Sequence, residues 1–217
     1  MLQVRSLVVT PFAQNCRIIA DAQSKTAVVV DPGGDVPLIE AELQKLGCRC
    51  VEIWLTHSHL DHCGGVAALK QKTNAQLIAH PGEREMRAHV RDICAMYGLP
   101  AGEMQDCPEP ERELVGGEVL SFGGQDFRVL FTPGHSPGHV VFYQPELKIL
   151  LAGDTLFQGS IGRTDLPGGD YDTLMGSIHS KILSLPDDTR VLPGHGDETT
   201  VGIEKRSNPF LQEGGNV

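Results

Sequence analysis

The sequence predicts an α/β or α+β fold made of two strand-rich halves, and three observations support this prediction. Short apolar runs bounded by turn residues recur in both halves, as strands do. Apolar residues at helical spacing occupy the stretches between some of these runs. Turns that contain Gly and Pro follow several of the runs, which is typical of strand ends. We therefore expect two mixed sheets packed face to face, with helices on both outer faces.

The first half of the chain is predicted to hold five strands and three helices. Apolar residues at helical spacing predict a helix over 36–46, which a glycine ends. A longer helical pattern covers 81–97, with Met86, Ile93 and Tyr97 on its apolar side. Strands are predicted over Leu2–Val9, 17–20, Thr26–Val30, 51–55 and Gln76–Ala79, and a third helix over 65–72.

The second half of the chain begins after a turn-rich stretch. Residues 98–113 are rich in Pro, Glu and Gly, so we expect a surface loop near the mouth of the site. A length of 217 residues without an internal repeat fits a single domain with a substantial core, over residues 1–217. Strands are predicted over 118–121, 127–131, 140–143, 148–151 and 190–192, and a helix over 171–185.

Composition and charge argue against several classes of function. The formal net charge of −10 disfavours broad binding to a phosphate backbone, so no nucleic-acid partner is predicted. No apolar stretch approaches the ~20 residues of a membrane helix, and the N-terminus carries no signal-peptide core. Six cysteines are scattered without a CxxC pair, which favours a reduced, cytoplasmic protein. The sequence leaves the oligomeric state open.

The densest group of chemically active side chains lies at residues 57–62, which read His-Ser-His-Leu-Asp-His. The group follows an apolar, strand-like run, so it should form the loop at that strand's end. Imidazole and carboxylate groups are ligands of zinc, iron and manganese. His57 and His59 alternate and can point the same way, whereas Asp61 and His62 lie beyond the turn and can face a neighbouring ion. These residues predict a metal site.

Three more ligand-type residues follow the same pattern of a strand and then small residues. His135 follows Thr-Pro-Gly, Asp154 follows Ala-Gly, and His195 follows Pro-Gly, each after an apolar run. Gly and Pro let the backbone turn sharply and hold a side chain at the tip of a strand. Because these residues offer the same chemistry as the loop at 57–62, we expect them to contribute to one metal centre.

Taken together, the motifs resemble those of the metallo-β-lactamase superfamily, and within it the glyoxalase II (hydroxyacylglutathione hydrolase) branch. They are Thr-His-Ser-His-Leu-Asp-His, Pro-Gly-His-Ser-Pro-Gly-His, Ala-Gly-Asp-Thr-Leu-Phe and Pro-Gly-His-Gly. Asp-Pro-Gly-Gly at 31–34 and Asn-Pro-Phe-Leu at 208–211 extend the resemblance over nearly the whole chain. The resemblance implies an α+β fold, the four-layer αββα sandwich of that superfamily.

The resemblance also implies two divalent metal ions, with zinc favoured and iron or manganese possible. It implies that Asp61 orients a hydroxide bound by both ions, which cleaves a small thioester of the S-lactoylglutathione type. A thioester suits this chemistry because a thiol of pKa ~8.5–9 leaves with little protonation. The implied ligands are His57, His59 and His135 for the first ion, Asp61, His62 and His195 for the second, and Asp154 bridging both.

Two departures from glyoxalase II weaken the inference about the substrate. Too few residues follow His195 to form the C-terminal helical domain that helps that family to hold glutathione. The segment at 159–165 lacks the family's basic and aromatic glutathione contacts. Arg163 could replace them by pairing with a substrate carboxylate. The alternative is a structural ion pair between Arg163 and Asp165.

Other interpretations stay open at this point. Persulfide dioxygenases carry similar motifs, yet that family uses one iron, which here would be bound by His57, His135 and Asp154. A lactonase on the same scaffold is a further alternative. Cys63, beside the cluster, is either a small buried hydrophobic residue or a ligand or redox site. His139 is expected to support the loop of His135, because ligating imidazoles need oriented neighbours.

Overall fold

The structure is a computed structural model that describes residues 2–99 and 104–212. Two compact units make up the chain: Met1–Leu114 with Ser121–Gly124, and Val115–Leu120 with Gln125–Val217. Residues 100–103 of the loop predicted at 98–113, and both ends of the single domain predicted over 1–217, lie outside the described residues. The single domain stays a prediction.

The first unit is built on a six-stranded mixed sheet. Its strands are β1 (Leu2–Val9), β2 (Gln14–Asp21), β3 (Thr26–Val30), β4 (Arg49–Trp54), β5 (Gln76–Ala79) and β6 (Arg112–Glu113). They lie side by side in chain order. Antiparallel pairing joins β1, β2 and β3, whereas β3, β4, β5 and β6 run parallel. Parallel strands end at the same edge, so the loops after β3 and β4 leave the sheet next to each other.

Two helices of the first unit, α1 (Val36–Leu46) and α3 (Val66–Thr73), lie close to the predictions, and the third predicted segment differs. Between them, the α2 turn spans Leu60–Cys63 and has no counterpart among the predicted helices. The buried face of α1 packs into a core that includes Val36, Ile39, Leu43, Ile53, Leu69 and Leu77.

The single helix predicted over 81–97 is wrong, because the structure divides it into a 3-10 turn and two helices. The turn covers Pro81–Glu83, α4 covers Arg84–Ala88, and α5 covers Val90–Met96. In a continuous helix the Arg87 carbonyl would accept the N–H of Arg91. Instead the carbonyl and the N–H bond to residues of the following loop. Cys107 N–H donates to the Arg87 carbonyl (2.8 Å), and the Asp106 carboxylate accepts the Arg91 N–H (2.9 Å).

The predicted apolar side of that helix is also corrected. Tyr97 is 57% exposed. The buried positions are Glu83, Arg87, Val90 and Cys94, which recur at helical spacing. Two of them are charged residues, so an apolar pattern could not identify this face.

The second unit contains a second six-stranded sheet, apart from the last two residues of its first strand in chain order, and a small hairpin. The strands of the sheet are β7 (Val119–Phe122), β8 (Gln125–Phe131), β9 (Val140–Gln144), β10 (Ile149–Gly153), β13 (Arg190–Pro193) and β14 (Thr199–Thr200), and the hairpin joins β11 (Leu156–Phe157) to β12 (Ser160–Ile161). The order across the sheet is β14-β13-β10-β9-β8-β7. Because β10 and β13 are parallel, the residues after each strand leave the same edge.

Two helical segments accompany this sheet. Helix α6 spans Tyr171–Ser177 and continues as a π-helix over Ile178–Ile182, close to the helix predicted at 171–185. Helix α7 (Val201–Ser207) was not predicted. Both contribute to a core that includes Val141, Leu150, Leu174, Ile178, Val191 and Val201. Among residues 2–99 and 104–212, none of the helices is long and apolar enough to cross a membrane. The cytoplasmic location stays a prediction.

Candidate metal centre

The loop that carries the first ligand group is anchored by Asp31, which follows β3. The Asp31 carboxylate accepts the Thr56 N–H (2.8 Å) and the Thr56 hydroxyl (2.6 Å). Val30 pairs with Trp54, so Asp31 and Thr56, which follow these strands, lie at the same edge of the sheet. Asp31 adopts a φ of 52°, a left-handed conformation that Asp tolerates better than most residues. This anchor fixes where the loop leaves the sheet.

His57 and His59 bring two ring nitrogens close together. His57 Nε2 lies 3.1 Å from His59 Nδ1. Metal–nitrogen bonds of about 2.0–2.1 Å in a tetrahedral site place two ligand nitrogens about 3.3 Å apart. The observed separation therefore fits two ligands of one ion. The Thr56 hydroxyl gives its proton to Asp31, so it accepts the Nδ1 proton of His57 (3.1 Å), and Nε2 keeps its lone pair.

His62 is oriented by the same aspartate. Its Nδ1 donates to Asp31 Oδ2 (3.0 Å), so Nε2 carries the lone pair, 3.9 Å from Asp61 Oδ2. A carboxylate that holds the second nitrogen of an imidazole is the usual neighbour of a metal-binding histidine. Asp31, His57 and His62 also form a group of possible ligands. We assign Asp31 to support because its oxygens already accept three hydrogen bonds.

A buried glutamate fixes the backbone between the two histidines. Glu83 Oε2 accepts the N–H of Ser58 (2.9 Å), and Glu83 is 1% exposed. Cys63 donates its thiol proton to the Ser58 carbonyl (3.4 Å). A hydrogen bond with Cys107, and then burial, raises the pKa of the Cys63 thiol well above its usual value. A neutral, buried thiol fits the structural interpretation of Cys63 better than a reactive one.

Gly33 lets the chain after β3 pass directly beside the ligand turn. A Cβ atom at position 33 would lie 1.5 Å from the carbonyl oxygen of Asp61. Only glycine fits at such a distance. The Pro32 carbonyl also accepts the N–H of Gly65, beyond the end of α2. The position of α2, and therefore of Asp61 and His62, depends on this contact.

In the second unit, His135, Asp154 and His195 converge. Asp154 Oδ2 lies 3.6 Å from His135 Nε2 and 3.5 Å from His195 Nε2. Both separations are close to the distance between two ligand atoms of one ion. The parallel strands account for this geometry, because Gly194 N–H donates to the Gly153 carbonyl (2.8 Å) where β10 and β13 end.

Two hydrogen bonds set the orientation of these candidate ligands. His135 Nδ1 donates to the Arg163 carbonyl (2.8 Å), so its Nε2 lone pair faces Asp154. His139 Nε2 accepts the Asp154 N–H (3.1 Å), so its Nδ1 is protonated and donates to the Thr132 hydroxyl (3.1 Å). The support expected from His139 therefore acts on the backbone of Asp154 as well as on its own loop.

Arg163 has two different contacts. Its carbonyl holds His135, whereas its guanidinium forms two bonds to Asp165 (2.7 and 2.8 Å) on the exposed surface. This ion pair lowers the pKa of Asp165 to about 2. The pair is the structural alternative that the sequence left open. A role of Arg163 in substrate binding stays a prediction.

The structure therefore places the predicted residues in two groups, one in each unit. The sharing of two ions among all seven side chains stays a prediction. The supporting residues Asp31 and Glu83 were not identified as such. Asp31 follows an apolar strand and precedes Pro-Gly-Gly, so it has the same local pattern as the ligands. Glu83 carries no local signal, because its partner lies far away in the sequence. The predicted ligands are His57, His59, Asp61 and His62 in the first unit and His135, Asp154 and His195 in the second.

Comparison with known proteins extends over almost the entire chain. The sequence profile of the Metallo-beta-lactamase superfamily matches residues 9–195. The chain is 40% identical over 212 residues to hydroxyacylglutathione hydrolase GloC of Haemophilus influenzae, covering 97% of this chain and 98% of that protein. It is 38% identical over 209 residues to the probable metallo-hydrolase YqgX of Bacillus subtilis, covering 95% and 96%.

Three solved structures share the fold. The BLEG-1 B3 metallo-beta-lactamase is 36% identical, with a TM-score of 0.85 and coverage of 96% of this chain and 99% of that chain. TTHA1623 in a di-iron-bound form is 39% identical, with a TM-score of 0.86 and coverage of 95% and 100%. ETHE1 from Myxococcus xanthus is 25% identical, with a TM-score of 0.76 and coverage of 95% and 83%.

These similarities confirm the predicted fold class, an α+β sandwich of the metallo-β-lactamase type. They also agree with the chemistry of the two ligand groups, because proteins of this superfamily bind divalent metals. The profile match and the near-complete coverage of relatives show that the chain belongs to the metallo-beta-lactamase superfamily, as a metallohydrolase similar to hydroxyacylglutathione hydrolases.

Proposed function

We propose that this protein hydrolyses a small thioester of the S-lactoylglutathione type. The observation that carries the proposal is the 40% identity to a hydroxyacylglutathione hydrolase, which extends over 98% of that relative. Because the match runs almost from end to end, the likeness is not confined to the metal-binding motifs. The substrate is therefore a small molecule with an acyl group on sulfur, and its thiol part is glutathione or a related thiol.

The proposed centre contains two divalent ions. Zinc is the first candidate, and iron and manganese accept the same ligands. The di-iron-bound form of TTHA1623 supports iron as an alternative. In His57, His62 and His135 the second ring nitrogen donates within the protein, which supports Nε2 as the ligand atom. The proposed ligands are His57, His59 and His135 for one ion, Asp61, His62 and His195 for the other, and Asp154 for both.

The residues of the proposed centre have different roles in the reaction. When bound, two divalent ions lower the pKa of a shared water from 15.7 towards neutrality and polarise the substrate carbonyl. The Asp61 carboxylate accepts a hydrogen bond from the attacking oxygen and orients it towards the carbonyl carbon. The N–H of Asp154 donates to His139, which fixes the backbone that carries the Asp154 carboxylate. No serine or cysteine nucleophile is required.

The leaving group explains why a thioester suits this site. A thiol with a pKa of ~8.5 leaves as a thiolate at neutral pH, so the protein need not supply a proton to sulfur. An amine leaving group requires a proton donor in the transition state. The groups assigned above are metal ligands or residues that support them. This chemistry favours the thioester over the β-lactam as substrate.

Metal analysis and turnover on the same purified sample test the proposal. We expect two ions per chain and rapid hydrolysis of S-lactoylglutathione, with Asp61→Asn strongly reduced in kcat. The control is His89→Ala, which removes an exposed histidine bonded to Asp92 and should leave turnover unchanged. One iron per chain with oxygen uptake on glutathione persulfide would establish the dioxygenase instead. Preferred cleavage of a lactone or a β-lactam would also overturn the thioester assignment.

A further inference from the structure

Helix α7 directs a buried carboxylate at the β11–β12 hairpin. Glu204 is 0% exposed. Its Oε2 accepts the N–H of Gly159 (2.9 Å) and the amide of Asn208 (2.8 Å), and its Oε1 accepts the hydroxyl of Thr199 (2.5 Å). A buried carboxylate is costly unless hydrogen bonds compensate for the lost water. Three donors therefore compensate for the burial of Glu204.

Asn208 holds the other side of the same hairpin turn. Its side-chain amide donates to the Ser160 carbonyl (3.0 Å) as well as to Glu204. Its side-chain oxygen Oδ1 accepts the N–H of Phe210 (3.0 Å). The N–H of Gly159 and the carbonyl of Ser160 are thus both fixed by side chains at the C-terminal end of the unit.

The hairpin leads directly to the ligands of the second unit. Immediately after β12, Gly162 donates its N–H to the Thr155 carbonyl (3.1 Å), and a Cβ atom there would lie 1.9 Å from the Asp154 carbonyl. The next residue, Arg163, provides the carbonyl that orients His135. On β11, the ring of Phe157 meets the ring of His195 edge to face, with 6.3 Å between their centroids. A shift of the hairpin would therefore move the contacts of all three ligands.

We propose that Glu204 and Asn208 are positioning residues that set the orientation of His135 by fixing the β11–β12 hairpin. The inference rests on the proposed function, in which the oriented imidazole of His135 binds a metal ion. Neither residue touches a ligand. They act through the backbone of Gly159 and Ser160, which continues to the carbonyl that accepts the His135 proton.

Helix α7 has other anchors besides its hydrogen bonds to the hairpin. Val201 is buried in the core, Thr200 caps the helix by accepting the Ile203 N–H (3.2 Å), and Lys205 pairs with Asp187 (2.7 Å). A leucine at position 204 would bury apolar surface without the cost of a carboxylate. The carboxylate is therefore better explained by its bond to the Gly159 N–H of the hairpin than by attachment of the helix alone.

The decisive variant is Glu204→Gln, which keeps the shape of the side chain. A glutamine offers one neutral oxygen and an NH2 group in place of two charged oxygens, so the bonds from Gly159 and Asn208 lose their charge assistance. In the metal-free variant we expect the His135 Nδ1 proton, followed by its NMR signal, to exchange with water at least tenfold faster than in the unsubstituted protein. We also expect metal affinity to fall 10- to 100-fold, the range for residues that orient ligands. The signal is assigned by its absence in His135→Gln.

Val201→Ala is the matched control, because it weakens the same helix without removing a hydrogen bond to the hairpin. It should lower the melting temperature yet preserve both the His135 signal and the metal affinity. Unchanged exchange and affinity in Glu204→Gln would overturn the proposal, and so would equal losses in Val201→Ala. If Glu204→Gln does not fold, Asn208→Leu is measured instead. It removes the bond to the Ser160 carbonyl and keeps the bond between Glu204 and Gly159. The proton signal is read without metal or substrate, so a failure of thioester hydrolysis does not affect this test.

Discussion

Hydrogen bonds to single residues decide which nitrogen each histidine presents. His57 gives its Nδ1 proton to Thr56, His62 gives its proton to Asp31, and His135 gives its proton to a backbone carbonyl. In all three rings Nε2 is the atom with the lone pair. A metal-binding imidazole with a fixed tautomer loses less entropy when the ion arrives. The binding strength of the centre should therefore depend on residues that are not ligands.

Asp31→Asn tests this dependence in the first unit. An asparagine has one carbonyl oxygen and an NH2 group, so it cannot accept from the Thr56 N–H, the Thr56 hydroxyl and His62 as Asp31 does. We expect metal affinity, measured by competition with a chelator, to fall 10- to 100-fold. Asp35→Asn is the control, because Asp35 accepts a backbone N–H from Thr10 instead. An unchanged affinity in Asp31→Asn would contradict the assignment.

Arg163→Ala separates the two roles left open for that guanidinium. The carbonyl that orients His135 is unaffected by the change. If the guanidinium binds a substrate carboxylate, we expect KM to rise about tenfold with little change in kcat, in keeping with the loss of one charge-assisted bond. The matched variant Asp165→Asn removes the competing carboxylate and should not raise KM. A KM that stays the same in Arg163→Ala would remove the substrate role.

At the scale of elements, parallel strand pairs account for the assembly of each ligand group. The loops after β3 and β4 leave one edge side by side, and so do those after β10 and β13. Apolar runs predict such strands well, and the limits of β1, β3 and β5 agree with the structure. The hairpin β11–β12 and the strands β6 and β14 were missed because two residues cannot display a period, and β6 ends the loop predicted at 98–113. The break at His89 was missed because distant loop residues, Asp106 and Cys107, cause it.

Substitution of Glu83 tests how the turn before α4 supports the ligand loop. Glu83→Leu leaves the buried N–H of Ser58 without this acceptor, so we expect the free energy of unfolding to fall by about 1–3 kcal/mol. Metal affinity should fall with it. Glu83→Gln retains an oxygen at the same place and should recover most of both losses. Urea denaturation and chelator competition give the two measurements. If glutamine were as harmful as leucine, the carboxylate would have a role beyond this bond.

For the whole molecule, buried thiols couple folding to alkaline pH. Burial raises the pKa of Cys50 from an ordinary value of 9.0 to about 12. Between these values the unfolded chain has lost the proton and the folded chain has kept it, so stability falls as pH rises through this window. The same direction holds for Cys16, whose pKa burial also raises.

The variant Cys50→Ala tests this dependence of stability on pH. One proton corresponds to a slope of about 1.4 kcal/mol per pH unit, so the variant should show a decline shallower by up to this amount between pH 9.5 and 11.5. Unfolding free energies from urea titrations at several pH values give the slopes, and the absolute stabilities need not agree. Parallel curves for the two proteins would show that the thiol is ionised in the folded chain.

The fold class of the whole molecule and the position of the candidate ligands at strand ends could be predicted from the sequence, and so could the support from His139, whereas other supporting residues could not. Ligands at the ends of strands have a local signature of apolar run, small residue and donor. Glu83 and Glu204 have none, because each bonds to a backbone N–H that lies 25 or 45 residues away in the chain. Such pairs become visible only once the strands are in register.

The close passage at Gly33 carries a consequence for evolution and engineering alike. Any larger residue there would have to push the Asp61 carbonyl, and the short helical turn behind it, outwards by an ångström or more. Asp61 and His62 would be displaced, while His57 and His59 precede that turn. The position is therefore a natural point at which the proposed two-ion centre could become a one-ion centre without losing a single candidate ligand from the sequence.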